Sequence, residues 1–150
     1  LEIDELNPKK AFCLDYLGVA YYNMQDYAKA EQCYLRSARI KEALFPGSTD
    51  LATTYNNLGL LYCNTKNYSK SEDYYIKSLK IRELAIPGTS DLATTYNNLG
   101  LLYCDIKNYS KAEDYLQKSL SIKEAINCPT RKITRNNLEA LRETKECRVF

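Results

Sequence analysis

Residues 50–63, DLATTYNNLGLLYC, occur a second time without change as residues 91–104. The two copies lie 41 residues apart, and at that shift 28 of 41 positions are identical between residues 50–90 and 91–131. A more divergent copy starts at about residue 9 and keeps Gly18, Tyr21 and Tyr27 in register. A fourth begins at residues 133–138, ITRNNL, and stops after one helix. A fixed period of this length is typical of a solenoid.

Each copy is predicted to hold two helices. In residues 50–64, Tyr55, Leu58, Gly59 and Tyr62 recur at i, i+3, i+4 and i+7, which places them on one stripe of a first helix, helix A. A polar break follows, and a second helix, helix B, starts at Tyr68 and stops at the Pro-Gly pair of residues 87–88. The side chains predicted to cap the two kinds of helix are Ser48, Thr89, Asp26, Asn67 and Asn108.

A glycine stands in the middle of each predicted helix A, and three small residues stand on helix B. A glycine there costs about 1 kcal/mol relative to alanine, which predicts that a neighbouring helix must approach closely. Tyr74 and Tyr115 are expected to be exposed on helix B. The glycines are Gly18, Gly59 and Gly100, and the small residues predicted to face them are Ala30, Ser71 and Ala112.

The pattern therefore predicts an all-α chain of three helical hairpins, residues 9–49, 50–90 and 91–129, followed by a capping helix over residues 131–146. We expect residues 1–150 to form a single domain. The last helix carries polar residues where packing residues would otherwise stand, as a terminal cap requires, and this favours a monomer. These residues are Arg135, Glu139, Arg142 and Glu143.

Composition excludes several classes of function. The chain has no histidine, which rules out Ser-His and Cys-His nucleophilic pairs and histidine metal sites. Its six cysteines, Cys147 among them, form no Cys-x-x-Cys pair, and we expect free thiols in a reducing compartment. No phosphate-binding glycine loop or metal-ligand spacing is present. The sequence thus predicts no catalytic residues, no metal and no cofactor, and a chain that is not an enzyme.

Charge and hydropathy limit the partners. A net charge of +2, spread evenly over most of the chain, predicts no nucleic-acid surface. No apolar run approaches the roughly 18 residues of a membrane span, and the start lacks a signal peptide, so we expect no membrane insertion and a cytoplasmic location. The missing initiator Met indicates a longer parent or a processed end.

The order Leu-Gly-x-x-Tyr, Tyr-x-x-Ser, aromatic, Ser, as in residues 58–78, resembles the tetratricopeptide repeat over roughly residues 9–146. The ordinary repeat has about 34 residues. The longer period here, with Ala-Thr-Thr-x-Asn-Asn-Leu opening helix A, is similar to the kinesin light chain type. Gln25, Lys66 and Lys107 stand where a turn glycine is common in the family, which leaves the turn geometry open.

This resemblance implies a right-handed α-α superhelix whose concave groove, formed by the A helices, takes an extended peptide. The function expected is a protein-protein interaction module acting as adaptor or scaffold. Two alternatives remain open: a sensor or autoinhibitory region of a larger signalling or motor-associated protein, and a purely architectural role with self-association.

The resemblance also implies that asparagines of helix A hold the peptide backbone. Carboxamides suit that role because each can both donate to and accept from a peptide bond. Such bonds contribute only a few kcal/mol together, whereas micromolar affinity needs about 8 kcal/mol, so apolar anchors are required. The basic side chains of a carboxylate clamp are missing from the corresponding surface. The predicted contacts are Asn57, Asn98, Asn56, Asn97, Asn64 and Asn137, with Leu60, Leu101, Val19 and Tyr22 as apolar groove residues.

Overall fold

A computed structural model describes residues 6–146 of the chain, and the side chains within it up to residue 144. These residues form seven α-helices and no strand. Cys147, for which a free thiol is predicted, lies outside the described residues. The helices are α1 (Pro8–Asn23), α2 (Tyr27–Leu44), α3 (Thr49–Asn64), α4 (Tyr68–Ala85), α5 (Ser90–Asp105), α6 (Tyr109–Ala125) and α7 (Arg131–Glu146).

The helices fall into two compact units, which divide between Ala85 and Ile86. In the first unit, α1 packs on α2, α3 packs on α4, and α2 also contacts α3. In the second unit, α5 packs on α6, and α6 contacts α7. The odd-numbered helices occupy the helix A positions of the sequence repeat, and α2, α4 and α6 occupy the helix B positions. The predicted single domain over residues 1–150 stays a prediction.

The predicted capping residues start the helices. Ser48 accepts a hydrogen bond from the Leu51 amide at 3.2 Å, and Thr89 accepts one from Leu92 at 3.4 Å. Asp26, Asn67 and Asn108 do the same for the amides three residues further on. Since the first amides of a helix have no partner within it, these side chains explain where helices α2 to α6 begin.

The turns inside the hairpins adopt a left-handed backbone without glycine. Gln25, Lys66 and Lys107 have φ angles of 61°, 60° and 61°. The amides of Asp26, Asn67 and Asn108 that follow donate to carbonyls five residues back, at 2.8–2.9 Å. This arrangement closes each helix A as a glycine would, at the steric cost of a Cβ in that region.

The mid-helix glycines make room for large side chains. A Cβ at Gly59 would lie 2.5 Å from the Tyr75 ring, and one at Gly18 would lie 2.5 Å from the Tyr34 ring. At Gly18 and Gly59 the approaching side chain is thus an aromatic of helix B, in addition to the small residues predicted to face the glycines. Ser71 is also close, since its hydroxyl donates to the Gly59 carbonyl at 2.7 Å.

The prediction that Tyr74 and Tyr115 are exposed was also wrong. Both are half-buried, and each stacks on a tyrosine of the preceding helix A. Tyr74 lies on Tyr62 with centroids 5.5 Å apart, and Tyr115 lies on Tyr103 at the same distance. Aromatic contact therefore joins the two helices of each hairpin.

Within residues 6–146, no helix is both long and apolar enough to cross a membrane. The same residues hold no group of three or more Cys, Asp or Glu side chains arranged to bind a metal ion.

Candidate functional site

A cleft of about 200 Å³ opens in the first unit on the side of helices α1 and α3. Val19 and Tyr22 line it from α1, and Asn57 and Leu60 line it from α3. These are four of the ten residues predicted from the sequence. They meet because residues 41 apart in the repeat occupy the same position on successive A helices, which brings Leu60 beside Val19.

The carboxamide of Asn57 is half-buried at this cleft and has no hydrogen-bond partner within residues 6–146. Val19 and Leu60 beside it are 42% and 37% exposed. A free donor and acceptor next to two accessible aliphatic side chains can hold a peptide bond and an apolar side chain together.

Asn64 lies at the edge of this cleft and is exposed. Its Nδ2 donates a hydrogen bond to the hydroxyl of Tyr22. Tyr22 also contacts the Tyr27 ring edge-on, with centroids 5.7 Å apart. These contacts fix the orientation of the Tyr22 ring, so Asn64 positions a wall of the cleft.

No charged side chain lines the cleft among the described residues. Tyr34 lines it as well, and burial, followed by the nearby Asp15 carboxylate, raises the pKa of Tyr34 to about 12. Burial likewise raises the pKa of Tyr22. Both phenols therefore stay neutral at ordinary pH, and the cleft presents an uncharged surface.

The second unit has an equivalent cleft of about 220 Å³ on α5 and α7. Leu101 of α5 takes the place of Val19, and Asn137 of α7 takes the place of Asn57. The Asn137 carboxamide is half-buried and has no hydrogen-bond partner among the described side chains. Two of the ten predicted residues therefore meet here. The other lining residues are Cys104, Tyr109, Ala140, Leu141 and Thr144.

One predicted asparagine, Asn97, belongs instead to a polar cluster between repeats. The Oδ1 of Asn97 accepts a hydrogen bond from Thr134 at 3.1 Å, and Thr134 in turn accepts one from the buried Lys123 ammonium at 2.8 Å. Asn56 is the equivalent residue of α3 and is buried. Neither residue lines the cleft of Val19 and Asn57 or that of Leu101 and Asn137, and neither is among the proposed peptide contacts.

Asn98, the equivalent of Asn57 in the third repeat, is half-buried and already interacts within the chain. Its role in binding stays a prediction.

Sequence reasoning missed two residues of the first cleft, Asn23 and Tyr34. The repeat register offered a signal for Asn23, since it stands 41 residues before Asn64. Tyr34 gave no such signal because its position matches Tyr75 and Leu116, which are wholly buried.

The packing of consecutive helices in hairpins defines an all-α repeat protein, as predicted. The chain belongs to the tetratricopeptide repeat family, whose profile matches residues 50–125, with a second tetratricopeptide repeat profile over residues 11–43. No curated protein matches the chain.

Solved structures share the fold at low sequence identity. BtubC (BKLC) from P. vanneervenii has a TM-score of 0.88 at 22% identity, with 93% of this chain and 58% of that chain covered. The apo form of RapI has a TM-score of 0.85 at 19% identity, covering 92% and 50%. The first TPR of Spaghetti (RPAP3), bound to the HSP90 peptide SRMEEVD, has a TM-score of 0.71 at 14% identity, covering 93% and 96%.

The chain thus spans between half and three fifths of the first two similar proteins. The predicted family and fold class are confirmed, and the repeats have the long, 41-residue period of the sequence. The family also makes this chain a protein-interaction module. The matched profiles are those of an interaction scaffold, and neither is that of an enzyme family.

Proposed function

We propose that this chain binds an extended peptide segment of a partner protein along its A helices and acts as an adaptor or scaffold. The observation that carries the proposal is the cleft of the first unit. There the unpartnered carboxamide of Asn57 lies beside the accessible side chains of Val19 and Leu60. Asn57 contacts the peptide backbone, and the aliphatic walls receive one side chain.

The size and charge of the cleft specify that side chain. A volume of about 200 Å³ lies below the range of drug-sized ligand pockets, which start at about 300 Å³, so it suits a single residue. Since no charged group lines the cleft among the described residues, that residue is apolar. This differs from the acidic peptide bound to the first TPR of Spaghetti.

Selection of peptides from a random library on the immobilised chain tests this function. We expect enriched sequences that share an aliphatic or aromatic residue and that the Leu60→Asp variant no longer retains, because a buried carboxylate opposes the apolar side chain. Enrichment of the same sequences by wild type and Leu60→Asp would contradict the proposal. The Gln32→Ala variant is a matched control, since Gln32 is exposed on α2 and away from the cleft.

The second proposal, a sensor or autoinhibitory region of a larger signalling or motor-associated protein, is favoured by the greater length of the similar chains. It predicts that a segment of the longer protein competes with the selected peptides. Absence of competition by any flanking segment would contradict it.

We propose further that the chain is monomeric and has no nucleic-acid partner, and that it is cytoplasmic. Support for the monomer comes from α7, whose Arg135, Glu139, Arg142 and Glu143 are all exposed. Arg135 and Arg142 pair with Glu124 and Glu113 of α6. Light scattering that gives a mass near 17.3 kDa would agree, and twice that mass would contradict it.

A further inference from the structure

A second cleft of the first unit lies on its helix B side, between α2 and α4, and shares no residue with the cleft of Val19 and Asn57. Its volume is about 480 Å³. Leu35 of α2 and the rings of Tyr62 and Tyr74 form an apolar floor. We name it the lysine cleft, after the three lysines of α4 that surround this floor: Lys70, Lys77 and Lys80.

Tyrosine rings hold two of these lysines in place. The Lys77 ammonium lies 5.0 Å from the centroid of Tyr74 and 5.5 Å from that of Tyr55. The Lys70 ammonium lies 4.9 Å from the centroid of Tyr62. Cation–π contacts of this kind restrict a long side chain while its ammonium remains in solvent. The two cations are therefore partly ordered before any ligand arrives.

The three lysines of the lysine cleft form no close ion pair among the described residues. None of the three lysines has a carboxylate within 4.0 Å among the described residues, and all three side chains are exposed. The carboxylate of Glu31, which lines the cleft, and that of Glu42 close by accept hydrogen bonds from the hydroxyls of Tyr62 and Tyr55.

Asp73 also lines the cleft, and Arg39 lies close to Tyr74. With these two included, four cations face three carboxylates. The local excess of positive charge is small.

The lysine and tyrosine arrangement occurs again in the second unit. Tyr115 stacks on Tyr103 with centroids 5.5 Å apart, Lys111 lies 4.9 Å from Tyr103, and Lys118 lies 5.6 Å from Tyr115. Ser121 stands where Lys80 stands in the first unit, so one cation of the trio is missing there. The full set of three lysines with an apolar floor belongs to the first unit.

We propose that the lysine cleft binds an acidic peptide segment of a protein partner, with an apolar side chain on the floor and carboxylates at the three lysines. The positive charges of the lysines favour an acidic ligand. The apolar floor favours a peptide with an apolar side chain over a polyanion. A nucleic acid makes about 6 to 10 phosphate contacts with the proteins that hold it, more than three lysines provide. Binding at the lysine cleft is independent of the cleft of Val19 and Asn57. The first unit therefore has two separate peptide sites, one on its helix A side and one on its helix B side.

Fluorescence anisotropy with a labelled peptide, Glu-Glu-Leu-Phe-Glu-Glu, tests the proposal at low salt. We expect saturable binding that weakens about fivefold or more in the triple variant Lys70→Gln, Lys77→Gln, Lys80→Gln, because each exposed ion pair contributes little alone. The same peptide with glutamine in place of glutamate, and one with alanine in place of Leu-Phe, should both bind more weakly. Added salt should also reduce the affinity.

A matched variant separates a specific site from general charge. Lys9→Gln, Arg36→Gln, Lys132→Gln removes the same three charges from exposed positions outside the cleft. We expect this variant and Asn57→Ala to bind the peptide as wild type does. Equal loss in both triple variants, or equal binding of the glutamine peptide, would overturn the proposal.

Amide chemical-shift mapping locates the peptide. The proposal predicts shifts at Leu35 and Tyr74, and shifts confined to Val19 and Leu60 would overturn it. Far-ultraviolet circular dichroism of each variant should match wild type; a variant that loses helix is replaced by the single change Lys80→Gln, since Lys80 makes no ring contact among the described residues. This single variant should bind about twofold more weakly, as expected for the loss of one exposed ion pair, and wild-type affinity would overturn the proposal.

Discussion

The ammonium of Lys41 on α2 forms an ion pair with the carboxylate of Asp15 on α1, and only 4% of the lysine side chain is exposed. The same ammonium donates to Thr54 of α3 at 3.0 Å. In the third repeat, Lys123 stands at the position of Lys41 and donates to Thr134, but Asn97 stands at the position of Asp15. The two clusters thus join consecutive repeats in the same way and differ by one negative charge.

Because of this difference in charge, we expect Asp15→Asn and Asn97→Asp to have opposite effects on the free energy of unfolding. Asp15→Asn should lower the free energy of unfolding by about 2 kcal/mol, less than the 3–5 kcal/mol lost on breaking a fully buried pair, because Lys41 keeps two other acceptors. Asn97→Asp should raise it by about 1 kcal/mol, because burial lowers the pKa of Lys123 and a carboxylate there favours the charged form. Urea denaturation at pH 7 measures both.

Asp114→Asn is the control for these variants, since Asp114 is exposed on α6 and should change the unfolding free energy little. A loss in Asp15→Asn no larger than in Asp114→Asn would show that the Lys41 cluster does not stabilise the contact between repeats.

The hairpin turns predict a gain in stability on substitution by glycine. Lys66 adopts φ 60°, where a residue with a Cβ is disfavoured by about 1–2 kcal/mol. Glycine removes that strain but costs about 0.5–1 kcal/mol of backbone entropy, so Lys66→Gly should stabilise the fold by about 0.5–1 kcal/mol. Thermal denaturation should give a higher Tm.

Lys66→Ala keeps the Cβ and should bring no such gain, while Lys111→Gly, inside α6, should destabilise by about 1 kcal/mol. A Tm for Lys66→Gly at or below that of Lys66→Ala would disprove the strain argument.

For the glycines inside helix A, we expect substitution by alanine to lower the stability of the fold. A Cβ at Gly100 would lie 2.7 Å from Cγ of Leu116 and 3.3 Å from the carbonyl oxygen of Ala112. Overpacking costs about 1–3 kcal/mol, which outweighs the gain in helix propensity of about 1 kcal/mol, so Gly100→Ala should destabilise. Thr94→Ala on the same helix is exposed and should be neutral or stabilising. If both variants gain stability in urea denaturation, the close approach does not constrain this site.

The raised pKa of Tyr34 predicts that the fold loses stability at alkaline pH. Its pKa is about 12 in the fold against 10.0 ordinarily. Above pH 10 the unfolded chain releases a proton that the folded chain retains, so the free energy of unfolding falls between about pH 10 and 12 and is unaffected below. The slope from this group is at most about 1.4 kcal/mol per pH unit.

Tyr34→Phe should therefore lose less stability than wild type between pH 9 and 11, measured by urea denaturation. Tyr16→Phe, at an exposed position of α1, should lose as much as wild type. An identical pH dependence in Tyr34→Phe and wild type would be inconsistent with a raised pKa.

Periodicity predicted the helices and the apolar cleft walls, because both follow from position along one helix. The pairing of Val19 with Leu60 follows from register alone. The hydrogen-bond partners of the asparagines could not be predicted from this periodicity. Asn56 and Asn57 are neighbours in sequence with the same side chain, yet one is buried and the other lines the cleft, because one residue of helix turns the side chain by about 100°. The cluster of Lys123, Thr134 and Asn97 could not be predicted either, because these residues are far apart in sequence.

Isothermal titration calorimetry with a peptide selected on the wild-type chain tests the central claim, that the cleft of Val19, Asn57 and Leu60 binds the ligand. Asn57→Ala should raise Kd about fivefold, since one net hydrogen bond contributes about 1 kcal/mol. Its Tm should stay unchanged, because Asn57 has no hydrogen-bond partner in the described residues. Gln32→Ala should bind as wild type does. A Kd for Asn57→Ala equal to that of Gln32→Ala would contradict the account.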